Sequence, residues 1–123
     1  MLEKDLEAIL KTTYEEFDAT TLEANPQKSM AFMHPNGVIL EKGKVATYGH
    51  KDLLKLWTEW YKEQGPYEFK RSNCKYSGGG DWIVNEFEAH IESKSGVLKG
   101  QVKHIWKKHD DRWLIYLEEY DLH

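Results

Sequence analysis

A chain of 123 residues with 40% apolar and 31% charged side chains is long enough for one domain with its own core and too short for two. Five Trp, seven Tyr and four Phe exclude a disordered polar segment. A net charge of -4, with no basic run longer than two residues, excludes a phosphate-binding surface and so a nucleic-acid partner.

Leu2, Leu6, Ile9, Leu10, Thr13, Tyr14 and Phe17 recur at helical spacing, which predicts an amphipathic helix from residue 2 to about 20. That opening segment is charged and lacks the apolar core of a secretion signal. Asn25 before Pro26 pairs a cap with a first-turn residue and predicts a short second helix to about Phe32. His34-Pro35-Asn36-Gly37 should break it. Val38–Glu41 and Lys44–Tyr48 flank Lys42-Gly43 as a small hairpin with Glu41 facing Lys44. A third helix follows from about Lys51 to Gln64, with Leu53, Leu54, Trp57, Trp60 and Tyr61 on one face, and Gly65-Pro66 ends it. Tyr67–Tyr76 and Trp82–Ser93 read as long strands joined by the loop Ser77–Asp81. Gly100–His123 reads as a final hairpin. No window approaches the roughly 18 apolar residues of a membrane span. Cys74 stands alone, without an internal disulfide partner, and a reducing, cytoplasmic setting is expected.

In the last hairpin, a loop at Asp110-Asp111 pairs His109 with Arg112. Counting outward sets Trp106 beside Ile115 and His104 beside Leu117 on one face. Ile105 beside Tyr116, Lys103 beside Glu118 and Gln101 beside Tyr120 then occupy the other. Both faces carry large apolar groups, so one is expected to meet the helices and the other a second copy of the chain. The first set, with Val102 and Trp113, is assigned to a homodimer interface. Extending the register backward puts Trp82 beside Tyr76, Asn85 beside Asn73 and Phe87 beside Arg71. The concave face would then carry Arg71, Asn73, Asn85, Phe69, Phe87, Ile91, Tyr116 and Tyr120.

The element order, with FMHPNGVILEKGK, YGHKDLLKLW and GQVKHIWKKHDDRWLIYLEEYD, resembles the nuclear transport factor 2-like (NTF2-like) superfamily, and within it the SnoaL-like group that includes many DUF4440 domains. The resemblance spans nearly the whole chain. It implies an α+β, cystatin-like cone over residues 1–123: three N-terminal helices on a strongly bent antiparallel sheet, with the opposite sheet face often forming a homodimer. In the ketosteroid isomerase branch a first-helix Tyr donates to a developing enolate, and Tyr14 matches it; the structural alternative is a core tyrosine with a satisfied hydroxyl. The pattern places Glu41 near that branch's proton-abstracting carboxylate, although a solvated Glu41–Lys44 pair explains the same residues. Where the branch keeps a protonated carboxyl, this chain has Lys103. A lysine cannot replace that donor but could bind a carboxylate or an enolate, or simply pair with Glu118.

The implied site is a conical aromatic and polar pocket for a small organic molecule. Glu41, Tyr14 and Lys103 are its catalytic candidates, and Trp57, Arg71, Asn73, Asn85, Phe87, Tyr116, Glu118 and Tyr120 its ligand-binding candidates. No His pair has a short metal-ligand spacing with Cys or carboxylates, so no metal and no cofactor are expected. A cofactor-free isomerase, cyclase or dehydratase would fit such a pocket. A non-catalytic homodimeric interaction module on the same fold is the alternative.

Overall fold

A computed structural model describes all of residues 1–123. Helix α1 (Glu3–Glu23) turns Leu6, Leu10, Tyr14 and Phe17 inward at the spacing the sequence predicts, and runs about one turn further than expected. It stops at Ala24, which adopts a left-handed conformation and returns its N–H to Thr20 and Thr21 carbonyls. The Asn25 side chain accepts from the Lys28 N–H at 3.0 Å and starts α2 (Pro26–Met30).

Strand β1 (Met33–Glu41) takes in the expected breaker His34–Gly37 as an irregular stretch, marked by a register shift between Met33 and Val38. A Cβ on Gly37 would stand 2.8 Å from the Ile115 carbonyl oxygen, so the backbone approach there needs glycine. Strand β2 (Val45–Tyr48) pairs antiparallel to β1 with Glu41 opposite Val45, one residue off the expected Glu41–Lys44 pairing, because the loop takes three residues. Helix α3 (His50–Gln64) sits between two positive-φ glycines, Gly49 and Gly65.

Four long strands follow, β3 (Phe69–Gly79), β4 (Trp82–Ser93), β5 (Gly96–His109) and β6 (Arg112–Leu122), giving one sheet in the order β2-β1-β6-β5-β4-β3. The helices cover one face. β1 and β6 run parallel, so the chain's first strand lies beside its last.

Two bulges decide which side chains face the helices. In the last hairpin, His109–Arg112 and Trp106–Ile115 pair as expected, with Asp110 and Asp111 both at positive φ. The register then shifts between Ile105 and Trp106, leaving Tyr116 as the extra residue. His104 therefore pairs with Glu118, Ile105 with Leu117, Lys103 with Glu119 and Gln101 with Asp121. The second bulge lies in β3 at Asn73 (φ 53), between the pairs Ser72–Glu88 and Lys75–Glu86. The β3–β4 connection is also tighter than expected, with Gly79 opposite Trp82, Tyr76 opposite Asn85 and Arg71 opposite Ala89.

The face assignment of β5 is the reverse of the sequence expectation. Val102, His104, Trp106 and Ile115 are buried under the helices, with Trp106 and Ile115 fully excluded from solvent. They are core residues and not an interface between copies. Lys103, Ile105 and Lys107 alternate with them and so point away from the helices. On that outer face Tyr116 packs edge-on against Trp82, at 5.2 Å between ring centroids.

Candidate functional site

A cavity of about 70 Å³ opens among α1, α3 and the sheet, walled by the aromatic rings of Phe17, Trp57, Trp60, Tyr67, Phe69 and Tyr120. Ile39, Leu56, Ile91, Val102 and Leu122 fill the gaps between them. Glu118 is the one charged side chain in the wall, and about 15% of its side chain remains accessible. β6 aims it inward because the bulge at Tyr116 shifts the alternation by one residue: counted from the buried Ile115, strict alternation along β6 would turn Glu118 outward.

Behind Glu118 runs a buried chain of hydrogen bonds. Glu118 Oε1 lies 2.7 Å from His104 Nε2, and His104 Nδ1 lies 2.8 Å from the Tyr14 hydroxyl. Trp106 Nε1–H and Asn85 Nδ2–H both donate to the Tyr14 oxygen, at 2.9 and 3.1 Å. An indole N–H can only donate. With both donors spent on its oxygen, Tyr14 directs its own proton to His104 Nδ1, and His104 carries its proton on Nε2 and donates it to Glu118. Rotating the Asn85 amide would reverse this order, but it would strand an NH₂ group where now a single carbonyl oxygen, Oδ1, lacks a partner. Orphaned buried N–H groups are the rarer fault. His104, 1% exposed, is thus a neutral imidazole that orients and polarises the Glu118 carboxylate.

Tyr14 is held protonated. Burial pushes its hydroxyl well above the ordinary phenol range, against the opposing pull of the Arg71 guanidinium. That guanidinium lies 3.9 Å from the centroid of the Tyr14 ring and also over Phe69 and Phe87. Two 3.0 Å bonds tie it to Asp18 on α1 and balance its charge. Burial likewise raises Tyr120 to about 12, with Glu41 and Glu118 adding to it, so Tyr120 meets the cavity as a neutral hydroxyl.

Among the residues expected from sequence, Trp57, Glu118 and Tyr120 line the cavity. Tyr14 and Asn85 are buried behind Glu118, reaching it through His104. Arg71 and Phe87 are on the helix-facing side of the sheet but outside the cavity wall. Asn73 sits on its bulge, exposed, and donates to Glu88 at 2.7 Å. Tyr116 packs outward against Trp82 and His34. Lys103 is on the face opposite Glu118, so the expected pair is not formed. Glu41 lies at the end of β1, outside the cavity wall, 3.2 Å from Lys44.

Sequence reasoning missed His104 as a partner of Glu118, and Asp18 as the partner of Arg71. A signal for the first was present in β5. Lys99, Gln101, Lys103 and Lys107 occupy one alternating row, and Val102, His104 and Trp106 the other. The solvated row should have been the lysine row.

No family model matches this chain, and neither does any curated protein. Solved structures do. An NTF2-like protein of unknown function from Pseudomonas putida KT2440 superposes with a TM-score of 0.81 at 11% identity, covering 98% of this chain and 89% of that one. A protein of unknown function with a cystatin-like fold from Nostoc punctiforme gives 0.78 at 13% identity over 93% and 88% of the two chains. The fold is the NTF2-like, cystatin-like cone. A provisionally named dehydratase of the NTF2-like family from Streptomyces avermitilis shares this cone too, at a TM-score of 0.81 and 10% identity, over 98% and 97% of the chains. Likeness at such identities fixes the NTF2-like architecture and leaves chemistry to the side chains.

Proposed function

We propose that the cone binds a small, largely apolar organic molecule and moves a proton on it without a cofactor, with Glu118 as proton acceptor. One observation carries this reading: a carboxylate at the wall of an aromatic cavity, held at 2.7 Å by a buried imidazole whose other nitrogen is fixed by a tyrosine. His104 occupies Oε1, and no side chain of the protein hydrogen-bonds Oε2, which serves as the accepting oxygen. Tyr14, kept protonated by burial, holds the imidazole in the tautomer that donates to Glu118. The reaction class is isomerisation, cyclisation or dehydration of a carbonyl compound, in keeping with the SnoaL-like, DUF4440-type resemblance of the sequence. Glu41 and Lys103 take no part, since neither reaches the cavity wall.

The test is Glu118→Gln, which keeps the shape and the bond from His104 but removes the base. For a carbonyl substrate found by screening, turnover is expected to fall at least about 10²-fold with binding changed little. Glu41→Gln should leave turnover intact. Unchanged turnover in Glu118→Gln overturns the assignment. No carbonyl substrate turning over at all favours a non-catalytic homodimeric module, the reading that a cavity of only about 70 Å³ supports.

We also propose that the chain forms a homodimer through the outer sheet face, in a reducing, cytoplasmic setting consistent with its single cysteine. Trp82, Val84, Ile105, Tyr116 and Leu117 meet on that face, with Trp82 40% exposed. Sedimentation at micromolar concentration should give a dimer, and Ile105→Glu a folded monomer. A monomeric unmodified protein would exclude the interface.

A further inference from the structure

The charge balance of the cone is incomplete. Glu118 is the one carboxylate in a wall made almost entirely of aromatic and aliphatic groups. Its hydrogen-bond partner His104 accepts the Tyr14 O–H at Nδ1 and so carries one ring proton, on Nε2, and the bond orients the carboxylate without cancelling its charge. The largely buried cation Arg71 is committed to Asp18 through two 3.0 Å bonds and lies against the rings of Tyr14, Phe69 and Phe87, outside the cavity wall. A carboxylate facing an apolar cavity without a counter-charge is costly, and a ligand that supplies the charge recovers that cost on binding.

The walls favour the same ligand. Trp57, Trp60, Tyr67 and Tyr120 line the same cavity as Glu118, and aromatic faces attract a cation held within about 6 Å of their centroids. Trp60 and Tyr67 are locked to each other by a 2.8 Å bond from indole N–H to phenol oxygen, which fixes both rings before any ligand arrives. An anionic ligand would meet Glu118 with like charge. A neutral one would gain neither the ion pair nor the cation–π contacts.

We infer that the ligand of the cone is an organic ammonium cation on a small apolar body, with its charge paired to Glu118 and its carbon skeleton against the aromatic rings. This rests on the reading of the cone as a ligand site and narrows it to a class of molecule.

The experiment is calorimetric titration of the intact protein at neutral pH with three ligands of nearly equal size: benzylamine, benzyl alcohol and benzoate. Benzylamine is expected to bind at least about tenfold more tightly than benzyl alcohol, and benzoate most weakly. Glu118→Gln should bring benzylamine and benzyl alcohol to within about twofold of each other. Equal binding of the amine and the alcohol by the unmodified protein overturns the cation inference while leaving the cone as a ligand site. Preference for the amine that persists in Glu118→Gln overturns Glu118 as the counter-charge. Failure of all three to bind overturns the inference together with the ligand-site reading.

Discussion

Replacing Trp106 with Ala should cost about 3–5 kcal/mol of folding stability, the range for removing a fully buried large aromatic. Trp106 is completely excluded from solvent, packs edge-on against Tyr14 at 5.1 Å and Phe17 at 6.1 Å, and donates its indole N–H to the Tyr14 oxygen. The variant therefore loses contacts with α1, opens a void beneath it and removes one of the two donors that set the proton order through His104. Trp106→Phe separates these effects: it keeps most of the ring volume and gives up the hydrogen bond, for a loss of about 1 kcal/mol. Urea unfolding midpoints measure both. Had β5 presented this row to a second copy, Trp106→Ala would change the sedimentation coefficient and leave the monomer's stability nearly untouched, and that result would reverse the face assignment.

The contrast shows where sequence periodicity stops being sufficient. Helix α1 was legible because its apolar positions follow one stripe and its polar positions another, so Tyr14 could be placed inward from spacing alone. The final turn was legible too, since Asp110-Asp111 lies between two alternating aromatic runs. Register beyond the turn was not. A bulge inserts one residue without changing composition, and the extra residue, Tyr116, has the same β-forming character as its neighbours. The displacement moved Lys103 opposite Glu119 and His104 opposite Glu118, exchanging an expected cavity-facing ion pair for the buried dyad. Asn73 escaped for the same reason: an asparagine tolerates positive φ, so a bulge can sit there without a glycine to announce it.

Tyr120 and Glu118 reached the concave face in the sequence reading through two errors that cancelled. Inverting the faces of β5 moved every β6 residue to the wrong side, and omitting the bulge moved those after Tyr116 back. Tyr116 itself, the pivot, stayed misplaced. Period-two arguments are thus only as good as the count of residues between the turn and the cavity, and a carboxylate beyond a bulge is placed by packing against β1 and α3.

The protein is expected to unfold cooperatively in alkali, near about pH 12, where the buried tyrosines make ionisation incompatible with the fold. Burial is the first cause in every case. It raises the hydroxyls of Tyr14, Tyr61 and Tyr67 above the ordinary phenol range, and those of Tyr76 and Tyr120 to about 12. A phenol whose folded pKa exceeds its unfolded value of about 10 binds its proton more tightly in the native state. Its contribution is therefore complete below about pH 10 and is lost as the unfolded chain releases protons that the native state retains. Each strongly raised group removes about 1.4 kcal/mol per pH unit, so Tyr14 and Tyr67 together remove about 3, with smaller additions from Tyr61, Tyr76 and Tyr120. Against a total near the lower end of the roughly 5–15 kcal/mol of a small domain, about two pH units suffice. Tyrosinate absorbance and far-ultraviolet circular dichroism should then change together in one steep transition. Smooth tyrosine ionisation centred near pH 10 with intact ellipticity would mean that these hydroxyls reach water in the native state, and that Tyr14 is not the closed end of the chain leading to Glu118.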